Sequence, residues 1–457
     1  MKNSVVFLFL LFSCGLFANV TLPNIFSDAM VLQRNSVISV WGWANPNEEI
    51  TIIPGWNSSE YKTKTDNHAN WLLQLPTPEA GGPFTITIKG HNQLLLKNIL
   101  IGEVWICSGQ SNMEMSASWG IVNAVEEIQK AKDSNIRFFT VQKASAATTQ
   151  NNTLGSWTEC SPETMKNFSA AGYFFAARLR EELKNIPVGL ILSAWGGTPA
   201  EIWMPQEVIQ NDVTLSESAA KIQPDQWGPN EPGRAFNAMI YPLAKFRIAG
   251  VLWYQGESNV GATNYDQTFS ALIQSWRKLW NYEFPFYYAQ IAPYNYGNDH
   301  YSGVEIRNAQ RMVAEKLNTV EMIVTSDIST IDDLHPKDKK NVGVRLANLA
   351  LAKIYKANSN LVNGPVFKNI QIQKNKILVH FNYSEGLHFT NKNETQFEIA
   401  GADTIFHPAK AVIRNGKVEL NSNKVTSPEK VRFAWKNNAQ SSLFNMANLP
   451  ASSFTTE

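Results

Sequence analysis

Three textures of apolar and polar positions succeed one another along the chain. Up to about residue 101, short apolar–polar alternations at 37–43, 49–53 and 84–89 are separated by turn residues such as Asn45-Pro46-Asn47 and Gly81-Gly82-Pro83. Half-buried strands punctuated in this way predict a β-sandwich over 19–101. From 102 to 357 the pattern changes: near-continuous apolar runs at 104–107, 188–192, 248–254, 286–291 and 319–325 alternate with helical-period segments at 171–185, 268–280, 306–317 and 339–355. Strands without a polar face, set between amphipathic helices, predict a parallel sheet covered on both faces. Active groups in such a sheet lie beyond the carboxyl ends of the strands. After 357 the alternation returns at 367–372 and 376–381, so 358–457 is a second β region or completes the first.

The first 18 residues read as a signal peptide: Lys2, then the eight apolar residues 5–12, then Ser13-Cys14-Gly15 and a cut after Ala18. Export to a periplasm or out of the cell is the expectation, with lipidation at Cys14 the alternative; Phe12 fits awkwardly before Ser13-Cys14. Eight apolar residues cannot cross about 30 Å of hydrocarbon, and no later segment is long enough to do so. The 40 Lys and Arg balance 39 Asp and Glu, and no basic stripe marks a nucleic-acid partner; the cluster 337–340 reads as solvated surface. With Cys14 removed, Cys107 and Cys160 remain, and Cys107 sits in an apolar run as a buried thiol would; no disulfide is expected.

Candidate chemistry gathers where the apolar run 104–107 breaks at Ser108-Gly109 and presents Gln110, Ser111 and Asn112. A hydroxyl on a turn just past a core strand is rigidly held yet open, as a nucleophile must be; an ordinary Ser/Asn helix cap is the plainer alternative. His-Glu-x-x-His, cysteine clusters, phosphate-cradling glycine loops and dinucleotide fingerprints are lacking, so no metal or cofactor is inferred. The Gly-x-Ser-x-Gly elbow is lacking too.

The segment Gly102-Glu-Val-Trp-Ile-Cys-Ser-Gly-Gln-Ser-Asn-Met-Glu114 resembles the nucleophile block of sialate O-acetylesterases, carbohydrate esterases of the SGNH hydrolase superfamily. Three further blocks follow in that family's order: Gly189-Leu-Ile-Leu-Ser-Ala-Trp-Gly-Gly-Thr-Pro199, Gly250-Val-Leu-Trp-Tyr-Gln-Gly-Glu-Ser-Asn259 and Asp332-Asp-Leu-His-Pro-Lys-Asp-Lys-Lys340. The resemblance implies an SGNH-hydrolase-like three-layer α/β domain over 102–357, flanked by β-sandwich-type regions. It implies an esterase that removes O-acetyl groups from carbohydrate, with O-acetylated sialic acid favoured. Acetylxylan or another acetylated polysaccharide is the alternative substrate, and a carbohydrate-binding protein on an inactive scaffold the alternative class. Ser111 would be the nucleophile. His335 would be the base, the other six histidines lying in the β regions or a Tyr/Asn/Gly-rich loop. Asp332 would orient the imidazole, with Glu257 the replacement. The oxyanion would take the Ser111 N–H and that of Gly196 or Gly197. Gln255 and Asn259 are amides able to donate, whereas Ser258 stands where the superfamily offers an Asn, which leaves the third donor open. Glu257 has three readings: a structural group, a substrate-binding group, or the acid of the histidine.

Overall fold

The structure is a computed structural model and describes residues 19–224, 226–297, 301–357 and 360–457; the expected signal peptide with Cys14 lies outside the described residues, as does His300. Six strands open the chain: β1 Val31–Gln33, β2 Val37–Trp43, β3 Glu49–Pro54, β4 Tyr61–Lys64, β5 Asn70–Pro76 and β6 Gly81–Lys89. β2 pairs with β5, and β3 with β4 and β6, all antiparallel. Period-two alternation sends Ile38, Val40, Leu73 and Leu75 of one layer and Ile50, Ile52, Ile86 and Ile88 of the other into one core.

The next strand, β7 Gln93–Gly109, is 17 residues long and belongs to both regions. Its first half pairs antiparallel with β6, and from Glu103 onward it runs parallel to the central strands. Burial changes with the partner, from alternation over 93–98 to complete burial over 99–109. The boundary expected at 101/102 therefore falls inside one continuous strand. Gly102 marks not a turn but a close approach, since a Cβ there would lie 2.1 Å from the carbonyl oxygen of Pro187.

The central sheet adds β8 Asp133–Thr140, β9 Trp157–Cys160, β10 Val188–Ala194, β11 Gly250–Tyr254, β12 Phe286–Ala289 and β13 Val320–Ile323, in the order β13-β12-β11-β7-β10-β8-β9. All neighbours are parallel except β8 and β9. A short helix α1, Ser111–Glu114, follows β7; longer ones are α2 Ala170–Leu183, α3 Tyr265–Trp280, α4 Ser302–Lys316 and α5 Lys339–Lys353. α2 and α5 pack together in one apolar cluster, and α3 and α4 belong to the cluster on the opposite face. The result is a helix–sheet–helix sandwich. After β7 the chain goes to β8 and β10 on one side and returns to β11 on the other, so the carboxyl end of β7 is the point where strand order reverses.

Beyond 360, the antiparallel strands Val366–Gln373, Lys376–Asn382, Lys417–Asn421 and Lys410–Arg414 form one sheet, and Phe397–Ala400, Lys430–Phe433 and Phe454–Thr455 pair in another, over a core of their own. This region is tied to the central domain by Arg307, whose Nη1 donates to the Asn437 carbonyl (2.9 Å), and by Gln440, whose Nε2 donates to that of Ser329 (2.6 Å). Cys107 and Cys160 are both buried free thiols. Among the described residues, no helix is long and apolar enough to cross a membrane.

Candidate active site

Ser111 stands at the switch point, two residues past the end of β7. Gly109 has φ +129°, and a Cβ there would lie 2.2 Å from the Tyr254 carbonyl oxygen, so only glycine lets β7 and β11 close over this turn. That same carbonyl accepts the Gln110 N–H (3.0 Å), which fixes the start of α1. Ser111 is the first helical residue, and its N–H has no acceptor within the helix.

The structure brings Ser111 and His335 together across 224 residues of sequence: Oγ lies 2.8 Å from Nε2. His335 rides on the loop after β13, with half-exposed Trp119 set edge-on against its ring at 6.4 Å. Burial and the Lys339 ammonium hold its pKa below the ordinary 6.5, and Asp333 pulls weakly the other way. A neutral imidazole beside a serine hydroxyl can accept its proton.

Asp332 does not join them. It is exposed and makes no hydrogen bond or ion pair among the described residues. Its neighbour Asp333 is the aspartate engaged with the histidine, through the backbone: Oδ1 accepts the His335 N–H (2.8 Å) and tightens the turn. Glu257 does not reach the imidazole either. It is partly buried with its carboxylate turned inward, its Oε1 accepts from Asn112 Nδ2 (2.5 Å), and desolvation raises its pKa to about 7. The expected assignment of Asp332 as orienter, and of Glu257 as its replacement, therefore has no contact behind it.

The two glycines separate. The Gly196 N–H donates to Glu114 Oε2 (2.8 Å), and Glu114 Oε1 pairs with Lys143 Nζ at 2.6 Å, so Gly196 serves this bridge rather than an oxyanion. Gly197 has φ +75° and packs beneath Trp227; no hydrogen bond of its N–H is found among the described residues. Gln255 and Asn259 are also committed elsewhere. Gln255 Nε2 donates to the Thr198 carbonyl (3.2 Å) and Asn259 Oδ1 (2.7 Å), and Asn259 Nδ2 donates to both carboxylate oxygens of buried Glu201. Both amides are fully buried and hold the second and third blocks together. Gln110 is the amide facing the other way: its Oε1 accepts the N–H groups of Gly256 and Ser258 (3.3 and 3.1 Å), while Nε2 has no described partner. A cavity of about 450 Å³ opens beside Gly197 and Ser258, walled by Pro199, Lys221, Gln223 and Asn230.

Two residues around Ser111 had no part in the expected site. Asn112 Oδ1 accepts from Lys339 Nζ (2.6 Å), and its Nδ2 donates to Glu257 and to the Leu334 carbonyl (3.0 Å). Lys339 belongs to the cluster expected to be solvated surface, yet it is fully buried, and burial lowers its pKa to about 7. Its spacing carried the signal, for Lys339, Val342 and Leu346 lie three and four residues apart on the inward face of α5. Among the described residues, no group of three or more His, Cys, Asp or Glu is arranged to hold a metal.

Residues 101–352 match the family described as carbohydrate esterase, sialic acid-specific acetylesterase. Human sialate O-acetylesterase is 29% identical over 413 residues, covering 82% of this chain and 78% of the relative. The mouse protein is 29% identical over 435 residues, covering 81% and 80%. A crystal structure of a carbohydrate acetylesterase from Xanthomonas citri superposes with a TM-score of 0.86 at 32% identity, over 96% of this chain and 100% of that one. An ordered set of four blocks, a Ser–His pair at the switch point of a three-layer SGNH-type domain, and similarity over nearly the whole length agree. The chain belongs to the sialic acid-specific acetylesterase family of carbohydrate esterases and is a carboxylic ester hydrolase.

Proposed function

We propose that this protein is an exported serine esterase that hydrolyses O-acetyl esters on carbohydrate, with O-acetylated sialic acid the favoured substrate. The 2.8 Å contact between Ser111 Oγ and His335 Nε2 carries the reading. In the proposed reaction Ser111 Oγ attacks the acetyl carbonyl as its proton passes to Nε2, and the oxyanion is met by the N–H groups of Ser111 and Gly197 and by Gln110 Nε2. The imidazolium then returns the proton to the departing sugar oxygen. Water, activated by the same imidazole, releases acetate and restores the serine. Ser111 and His335 act as a pair, with Asp333 shaping the turn rather than holding Nδ1.

Sialic acid as substrate is supported by the family description and by the activity named for the human and mouse relatives. A second reading, an acetylated polysaccharide, is supported by the Xanthomonas relative, which has the broader name of carbohydrate acetylesterase and matches more of the chain. Export is supported by the apolar N-terminal run after Lys2. Acetate release measured side by side on O-acetylated sialic acid and acetylated xylan tests the reading, with Ser111→Ala as control. Faster release from the sialic acid by tenfold or more is expected. The reverse preference would replace the substrate, and no release from either would overturn the function.

A further inference from the structure

Three polar side chains beside the Ser–His pair have no step in the reaction just described: Asn112 and Lys339, both fully buried, and Glu257, partly buried with its carboxylate Oε2 out of reach of solvent. Withdrawing an ammonium and a carboxyl from water is costly, and a buried ion pair is seldom more stabilising than apolar packing of the same volume. Their arrangement is specific. The Asn112 amide spends both Nδ2 hydrogens, on Glu257 Oε1 and the Leu334 carbonyl, and its Oδ1 takes Lys339 Nζ. Asn112 follows the nucleophile and Leu334 precedes the base, so a single amide couples the turn after β7 to the loop after β13. Glu257 anchors that amide from the turn after β11, and Lys339 from the start of α5.

We infer that Asn112, Glu257 and Lys339 form a buried clamp of positioning residues that sets the His335 loop at bonding distance from Ser111 and places a cation next to the imidazole. The inference rests on the reading of Ser111 and His335 as nucleophile and base. None of the three residues touches the reacting atoms.

The charge has a sign that can be followed. His335 is faced by Lys339 from α5 and by Asp333 from its own loop. Lys339 is faced by Glu257, Asp333 and Asp338, and its Nζ lies 4.9 Å from the ring centre of Tyr254. Removing the ammonium withdraws one of the two influences that depress the imidazole, so its pKa must rise. Glu257 bears on the imidazole only through that ammonium, and with its own pKa raised to about 7 it is largely protonated along the acid limb, so its removal should move the imidazole pKa far less.

The test compares Lys339→Met, Glu257→Gln and Asn112→Asp with wild type, each kept only if its melting curve shows it folded at the assay temperature. The expected result is a 10- to 100-fold loss of kcat with KM within twofold, as for a misplaced reacting group. The acid limb of kcat/KM should also move to higher pH in Lys339→Met, and less far in Glu257→Gln. Asn112→Asp faces two acceptors with a carboxylate and keeps the volume, so it breaks the clamp without opening a cavity. Folded variants with kcat within threefold of wild type, or a Lys339→Met acid limb that stays in place, would overturn the clamp. Those outcomes leave Ser111 and His335 standing, whereas an active Ser111→Ala would remove the reading beneath it.

Discussion

The proposed nucleophile and base of this site are held by opposite means. Ser111 follows a strand that is completely buried from Ile99 onward and flanked on both sides by parallel partners. His335 sits on an irregular loop fixed by individual polar contacts. Arg345 forks onto Asp327 through both Nη atoms (2.7 and 2.5 Å) and also reaches the Val324 carbonyl. Gln440 holds the Ser329 carbonyl, the Asn295 N–H donates to Ile331 O (2.9 Å), and Asn112 holds Leu334 O. Packing places the serine through many small contacts and one glycine turn at Gly109. The loop depends on a few hydrogen bonds, each of which can be removed singly.

The largest effect should come from the reacting atom itself. Ser111→Ala should leave the melting temperature near wild type and lower kcat by at least about 10³, leaving only oxyanion and binding contributions. Steady-state acetate release on the folded variant checks this, and near-normal turnover would end the assignment.

The contrast sharpens when each support is broken. Gly109→Ala forces a Cβ to within 2.2 Å of the Tyr254 oxygen at a φ of +129°. It should destabilise the protein by at least about 2 kcal/mol, seen as a fall in the denaturant midpoint. Arg345→Ala should do the reverse: a modest loss of stability and about a tenfold loss of kcat, because the histidine loop loses a bidentate anchor. If Gly109→Ala proves mild and Arg345→Ala leaves kcat unchanged, the distinction between the two supports is lost.

These supports also differ in how far the sequence reveals them. Apolar period and turn residues announce β7, β10, β11 and the helices between them, since burial on both faces leaves its imprint on every residue of a strand. They do not announce that β7 serves two regions, because Gly102, where the pattern changes, marks a close approach to Pro187 inside one strand rather than a turn between two. The Ser111 turn and His335 are legible through their blocks. Gly196 against Gly197 is not, because the choice depends on Glu114, 82 residues away. Gln255 and Asn259 look like available donors until Thr198 and Glu201 appear beside them. Lys339 reads as surface because three more charged residues surround it in sequence; only the α5 period places it inside.

The pH profile gives a smaller effect. A base must be neutral to accept the serine proton, so kcat/KM is proportional to the neutral fraction of His335. Burial and Lys339 depress its pKa, which puts the acid limb below the ordinary 6.5. Activity should therefore persist further below pH 6.5 than an unperturbed histidine allows, and fall tenfold per unit only below the depressed value. A limb at or above 6.5 would show that an unpaired carboxylate supports the imidazolium after all.

The smallest effect belongs to the aspartate that sequence spacing favours. An Asp three residues before a histidine can fold back onto Nδ1, and losing such a partner costs up to about 10⁴ when the tautomer is lost. Here the turn is closed instead by Asp333, whose carboxylate takes the His335 backbone N–H, and Asp332 is left exposed without a partner among the described residues. Asp332→Asn should accordingly stay within about threefold of wild-type kcat, as surface changes away from the chemistry do. Asp333→Asn keeps an acceptor oxygen for the N–H and should cost more than Asp332→Asn but far less than Ser111→Ala. Measuring both at pH 7 and again one unit lower separates geometry from charge: a turn defect lowers kcat equally at both, whereas loss of the Asp333 charge lowers the imidazole pKa and so spares the lower pH. A collapse of Asp332→Asn by a hundredfold or more would mean that the loop swings during turnover to bring Asp332 onto Nδ1, making the base as mobile as its few contacts allow.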